Sequence, residues 1–170
     1  MWKGIEVAER ILIAYFTHSG NTRKIARLIH DEVGGSVYEI EPQVPYPGAY
    51  SAVTEQAKKE IRAGFKPSLR SKPADLESCD VVFVGSPNWW STIAPPVATF
   101  LSECDLAGKT VAPFCTHGGG GAGRIASDIA RLCPRSTVLQ PFEVYGGGAA
   151  DTQARVSVWL RRIWAGEFRR

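Results

Sequence analysis

A chain of 170 residues, 44% hydrophobic and 22% charged, has the ordinary mix of a globular protein and suits one domain, 1–170, with one sizeable core. Its net charge of +3, with Arg161, Arg162, Arg169 and Arg170 gathered near the C-terminus, is too mild to argue for a nucleic-acid partner. No apolar run approaches the roughly 20 residues of a bilayer span, and Glu6 and Glu9 stand where a signal peptide needs an apolar stretch, so the expectation is a cytoplasmic protein without a membrane partner.

Strands and helices alternate along the chain. Ile11 to Phe16 reads as a first strand, and Ile25, Leu28, Ile29 and Val33 follow at helical spacing until Gly34-Gly35 ends the helix. Ser36 to Ile40 reads as a second strand, its alternation suggesting a sheet edge. Asp80 to Val84 is a third and Thr110 to Cys115 a fourth, weakened by Pro113. Thr137 to Leu139 with Phe142 to Tyr145 makes an interrupted fifth. Three more helical patterns run through Val97–Cys104, Ile125–Cys133 and Val156–Trp164. Apolar runs without clear alternation fit strands covered on both faces, so the βαβ series implies a parallel sheet between helical layers.

The stretch from Glu41 to Glu77 is far longer than an ordinary connection. It opens on a Pro-rich loop through Pro42, Pro45 and Pro47. A helix is expected from about Tyr50 to Arg62, with Val53, Ala57 and Ile61 on one face and Glu55 paired to Lys59.

Three loops carry candidate chemistry. After the first strand come Thr17-His18-Ser19-Gly20-Asn21-Thr22, and a helix begins directly. A helix N-terminus has unpaired N–H groups and a partial positive charge, so it attracts anions. Capping needs one Ser, Thr or Asn, yet here nearly the whole connection is made of hydroxyl and amide residues, which points to a phosphate held by neutral donors. The Walker ending is absent. After the third strand come Pro87-Asn88-Trp89-Trp90-Ser91. Adjacent tryptophans in a strand-to-helix loop suggest that one packs in the core and the other stacks on a flat ligand. Trp89 is the expected stacking residue and Trp90 the core residue. After the fourth strand, Thr116-His117-Gly118-Gly119-Gly120 let the backbone approach a ligand edge.

A rival reading exists for this last loop. Gly118, Gly120 and Gly123 fit G-x-G-x-x-G, with Glu143 about 20 residues beyond, the dinucleotide spacing. That fingerprint belongs at a first strand, and a run of glycines matches it easily. In a sheet of order 2-1-3-4-5, strands one and three flank the switch point where ligands bind. One loop for a phosphate, one for a flat ring and one for the ring's polar edge describe a flavin mononucleotide (FMN) site.

With these residues assembled, the chain resembles the flavodoxin family from about Ile11 to Trp164. The Thr17–Thr22 loop is similar to the family's T/S-x-S/T-G-N-T phosphate motif. Gly85-Ser86-Pro87-Asn88-Trp89-Trp90, with Thr116-His117-Gly118-Gly119 further on, resembles a flavodoxin-like bacterial branch with a G-x-P-x-W-W signature. The resemblance implies a three-layer α/β/α fold with a five-stranded parallel sheet of order 2-1-3-4-5, noncovalent FMN and electron transfer. By motif matching, Thr17 to Thr22 hold the phosphate, Pro87 to Trp90 border the isoalloxazine, and Thr116 to Gly120 face its pyrimidine edge. No metal site and no protein nucleophile is expected.

Two departures bear on function. Ser91 stands where many relatives have Gly, and the chain is basic where electron-carrier flavodoxins are strongly acidic. The ring-side loops Ser86–Thr92 and Thr116–Gly121 contain no Asp or Glu, and His117 and Arg124 bring positive charge, which favours two-electron behaviour. The partners are then redox proteins, or small acceptors if the protein is an FMN-dependent NAD(P)H oxidoreductase acting on quinones or similar molecules. The four cysteines, Cys79, Cys104, Cys115 and Cys133, lie in or beside apolar segments and read as buried free thiols of a reducing compartment.

Overall fold

The computed structural model describes residues 10–167. The acidic start and the terminal pair Arg169 and Arg170 lie outside the described residues. The elements run β1 (Ile11–Tyr15), α1 (Asn21–Val33), β2 (Ser36–Glu39), α2 (Tyr50–Ala63), β3 (Val81–Pro87), α3 (Pro95–Glu103), β4 (Thr110–His117), α4 (Ile125–Leu132), β5 (Thr137–Val138), β6 (Phe142–Tyr145) and α5 (Thr152–Glu167). All pairings between these strands are parallel, in the order β2-β1-β3-β4-β5, with β6 also on β4.

Alternation along each buried strand divides its side chains between two helical layers. Ile11, Ile13 and Tyr15 of β1 join Val81 and Phe83 of β3 in a cluster with Ile25 and Ile29 of α1 and Val156, Leu160 and Trp164 of α5. Leu12, Ala14 and Phe16 join Val82 and Val84 in a second cluster, with Val97 and Phe100 of α3 and Ile125 and Ile129 of α4. Both faces of β1 and β3 are thus dry, which is why those strands read as unbroken apolar runs. Gly85 is required here by contact: a Cβ would meet the Phe114 ring at 2.2 Å.

The expected fifth strand is the pair β5 and β6. Val138 registers with Val111 and Phe142 with Phe114, so the second half is displaced by one residue relative to the first. The break falls beside Pro113, which has no N–H to give to a neighbour. On its other side Pro113 stays in register with Val84, so β4 continues through it to His117.

The long insertion is ordered. Its two ends run antiparallel, with Gln43 N–H donating to Ser68 O at 2.8 Å and Arg70 N–H to Glu41 O at 2.9 Å. Between them α2 buries Val53 and Ala57 as its spacing required. The expected Glu55–Lys59 pair does not form. Instead Gln56 Nε2 and the Tyr46 hydroxyl both donate to Glu60, at 3.1 and 2.6 Å. Burial, then the Glu60 carboxylate, push the Tyr46 phenol far above its ordinary range, so it stays a donor.

Candidate functional site

The carboxyl ends of β1, β3, β4 and β6 converge with one side of α2 on a cleft of about 600 Å³. His18, Ser19, Asn21 and Thr22 line it from the first loop, Pro87 to Trp90 from the second, and Thr116 to Gly118 from the third. Residues from all three of the loops singled out after the strands therefore meet at the switch point between β1 and β3. Thr17 lies instead in an adjoining cleft with Phe16, Glu39 and Tyr46. Gly20, Gly119 and Gly120 line neither cleft.

At the first loop, Gly20 N–H donates to Thr17 Oγ1 at 3.0 Å and Gly20 takes φ 91°, a left-handed value that suits glycine. This turn feeds α1, whose start has no side-chain cap and no acidic residue in its first turn. Its first helical bond is Lys24 N–H to Gly20 O, at 3.2 Å. The N–H groups of residues 21–23 precede it and have no partner among the described residues, leaving the positive end of the α1 dipole open to the cleft. His18 Nε2 donates to Pro47 O at 2.9 Å, tying this loop to the insertion. Thr22 is buried, and its hydroxyl meets that of Thr116 at 2.8 Å.

The second loop corrects the placement of Trp90. Trp90, expected in the core, is 46% exposed. Trp89 is the packed one, edge-on to Tyr46, Phe16 and His18 at centroid distances of 5.0, 5.3 and 5.9 Å. Backbone geometry decides this. Trp89 and Thr92 exchange N–H···O bonds of 3.0 and 3.2 Å around a two-residue turn, and Trp90 and Ser91 both have positive φ, 55° and 66°. Trp90 thus stands at the tip of a turn that prefers Asn-Gly to Trp-Ser. Trp90 is then caught by α2: its indole N–H donates to Thr54 O at 3.0 Å and Lys58 Nζ sits 5.0 Å from the ring centroid.

The turn is anchored from behind. Arg124 N–H donates to Ser91 O at 2.7 Å, the Thr92 hydroxyl donates to the buried Asp128, and a Cβ on Gly123 would meet Ser91 O at 2.6 Å. Gly123 is thus a packing requirement of the Trp90 turn, and Glu143 of the rival dinucleotide spacing is engaged with His117. Asn88 holds the second loop to the third, its N–H on Thr116 O at 2.8 Å and its Nδ2 on Gly121 O at 2.7 Å.

The expected excess of positive charge at the third loop is reduced. Arg124 lies 3.6 Å from Asp128, and His117 Nε2 contacts the Glu143 carboxylate, which reaches over from β6. Tyr50, Val53, Thr54 and Ala57 of α2, with Tyr145 at the end of β6 and Gly146 beyond it, also line the cleft, and sequence reasoning did not name them as site residues. The apolar face of α2 was visible, but not the side of the cleft it would meet. All four cysteine thiols are pushed up, burial being the largest cause, Cys115 to about 12 and Cys133 to about 11. Among the described residues no His, Cys, Asp and Glu group is arranged to hold a metal ion, and no helix is long and apolar enough to cross a membrane.

A family model described as flavodoxin matches residues 10–163. The chain belongs to the flavodoxin family. Among solved structures, this flavodoxin-family chain is similar to a presumed flavoprotein of Bacteroides eggerthii, 30% identical with a TM-score of 0.81, over 91% of this chain and 97% of that one. A Lactobacillus acidophilus flavoprotein solved in complex with FMN is 24% identical with a TM-score of 0.71, over 87% and 97%. Oxidised flavodoxin 2 of Bacillus cereus shares the fold at 20% identity and a TM-score of 0.57, over 93% and 99%. No curated protein matches the chain.

Proposed function

We propose that this flavodoxin-family protein binds FMN noncovalently in the main cleft and transfers electrons through it. The observation that carries this reading is the uncapped N-terminus of α1 opening into the same cleft as Trp89, Trp90 and the glycine-rich end of β4. An anion, a flat ring and a polar ring edge are the three parts of FMN, and each meets a suitable donor set. Ser19 and the N–H groups of residues 21–23 would hold the phosphate without a charged side chain. Thr22 contributes its proton when Thr116 donates to it. Pro87 to Trp90 would border the ring, and the backbone around Gly118 would face its pyrimidine edge. When bound, FMN supplies one- and two-electron redox chemistry. The protein's part is to hold it, exclude water on the α2 side and set the charge around it.

The motif Gly85-Ser86-Pro87-Asn88-Trp89-Trp90 supports placing the chain in the G-x-P-x-W-W branch, as a single domain. Its four free thiols suit a reducing cytoplasm.

One observation favours a second reading, an FMN-dependent NAD(P)H oxidoreductase with small acceptors. Three exposed aromatics, Tyr50, Trp90 and Tyr145, line the cleft, and Lys58 sits over the Trp90 ring. That surface suits a planar molecule better than a basic protein partner. The visible spectrum of the purified protein tests the first reading: a flavin absorbance that FMN restores after stripping supports it, and failure to bind FMN ends it. Oxidation of NADH or NADPH with a quinone separates the enzyme from the carrier.

A further inference from the structure

His117 ends β4 inside the cleft with its side chain only 10% exposed, and both of its ring nitrogens are used. Nδ1 accepts the Gly119 N–H at 3.0 Å, so the ring proton sits on Nε2, and Nε2 meets the Glu143 carboxylate. The acceptor on one side fixes the tautomer on the other. Gly119 has φ 127°, a value other residues rarely adopt, so the loop beyond His117 is bent tightly back toward the ring. Glu143 comes from β6, two residues before Tyr145, which registers with His117; Tyr145 also stands edge-on to the imidazole at 6.1 Å. The displaced second half of the interrupted strand therefore places a carboxylate beside the end of β4.

We propose that Glu143 is a positioning residue of the cofactor cleft: it holds His117 in the Nε2–H tautomer, and His117 in turn fixes the Gly118–Gly119 backbone against the ligand edge. The inference rests on the FMN reading for its consequence and on the structure alone for its geometry. Gly119 N–H is spent on the imidazole and is not offered to the ligand, whereas Gly118 lines the cleft with its N–H unpaired among the described residues. The carboxylate also adds a negative charge near the ring edge, and a reduced flavin anion is disfavoured by such a charge.

The test compares Glu143→Ala, which removes the acceptor, with Glu143→Gln, which keeps an acceptor and removes the charge. In protein stripped of flavin, nitrogen NMR of the imidazole and hydrogen exchange of Gly119 read the geometry. Wild type and Glu143→Gln are expected to hold the Nε2–H tautomer. Glu143→Ala is expected to mix tautomers and to expose Gly119 N–H to about tenfold faster exchange. An unchanged tautomer and unchanged exchange in Glu143→Ala overturn the proposal.

In the flavin-loaded protein, Glu143→Ala is expected to weaken FMN and riboflavin by the same factor, about tenfold. In a His117→Phe background the same substitution should have no further effect. Glu143→Gln is expected to raise the midpoint potential while affinity for oxidised flavin holds. Additive losses in the double variant, or a potential unmoved by Glu143→Gln, count against the proposal. A wild-type protein that shows the expected tautomer but binds no FMN overturns the functional reading and leaves the Glu143–His117–Gly119 geometry standing.

Discussion

The hydroxyls of Thr22 and Thr116, 94 positions apart in sequence, meet at 2.8 Å in the interior and fasten the first turn of α1 to the end of β4. Ser19, by contrast, is exposed and has no hydrogen-bond partner among the described residues. The two should respond differently to removal of the hydroxyl. Ser19→Ala is expected to weaken FMN by about ten- to a hundredfold, with riboflavin affinity and thermal stability unchanged. Thr22→Val should weaken FMN and also lower stability by about 1–3 kcal/mol, because Thr116 is left buried without its partner. Fluorescence titrations with both flavins, beside urea melts, separate the two outcomes. Equal losses of FMN and riboflavin in Ser19→Ala would remove the phosphate assignment.

Trp89 and Trp90 should divide stability from ligand contact. Trp89 packs among three rings, so Trp89→Ala is expected to cost about 3 kcal/mol of stability. Trp90 is exposed on the cleft wall, and Trp90→Ala should weaken flavin by about tenfold, in line with aromatic stacking. Its effect on folding should stay under about 1.5 kcal/mol, the worth of one hydrogen bond. Flavin quenching of tryptophan emission should fall more in Trp90→Phe than in Trp89→Phe. The reverse order would return the ring contact to Trp89.

The turn between these residues carries backbone strain. Ser91 has φ 66°, where a left-handed conformation costs a side-chain-bearing residue about 1–2 kcal/mol. Ser91→Gly is expected to raise the melting temperature by about 2–4 °C. Gly123→Ala should do the opposite, since its new Cβ would press on Ser91 O from 2.6 Å. It should loosen the Trp90 turn as well, seen as a red shift of tryptophan emission.

Burial raises all four thiols, Cys115 to about 12. Only the thiolate attacks an alkylating or disulfide reagent. At pH 8 the folded protein should therefore react with Ellman's reagent far more slowly than the urea-unfolded chain. One thiol reacting at the unfolded rate would contradict the packing described here.

The layer architecture and the meeting of three loops were legible because they follow from local patterns: apolar runs, helical spacing and hydroxyl-rich or glycine-rich strand ends. The wall made by α2 was not, although its Val53–Ala57 face was, because the path of a long insertion is set by contacts such as Trp90 to Thr54 O between distant segments. Trp90 was expected in the core for a related reason. Which of them turns outward depends on positive φ at Trp90 and Ser91, and nothing in the residue types announces it. Glu143 was seen only as a spacing match, since its approach to His117 follows from the one-residue displacement of β6.

That displacement also bears on how copies of the chain meet one another. A sheet edge invites pairing with a second molecule when it shows a long, even row of free N–H and C=O groups. Here the outer edge past β4 is two residues of β5, then a break that includes Pro141, then four residues of β6 set one position out of step. A strand from another copy could not follow both halves in one register. The misalignment that delivers Glu143 to the cleft thereby leaves this edge a poor template for edge-to-edge aggregation.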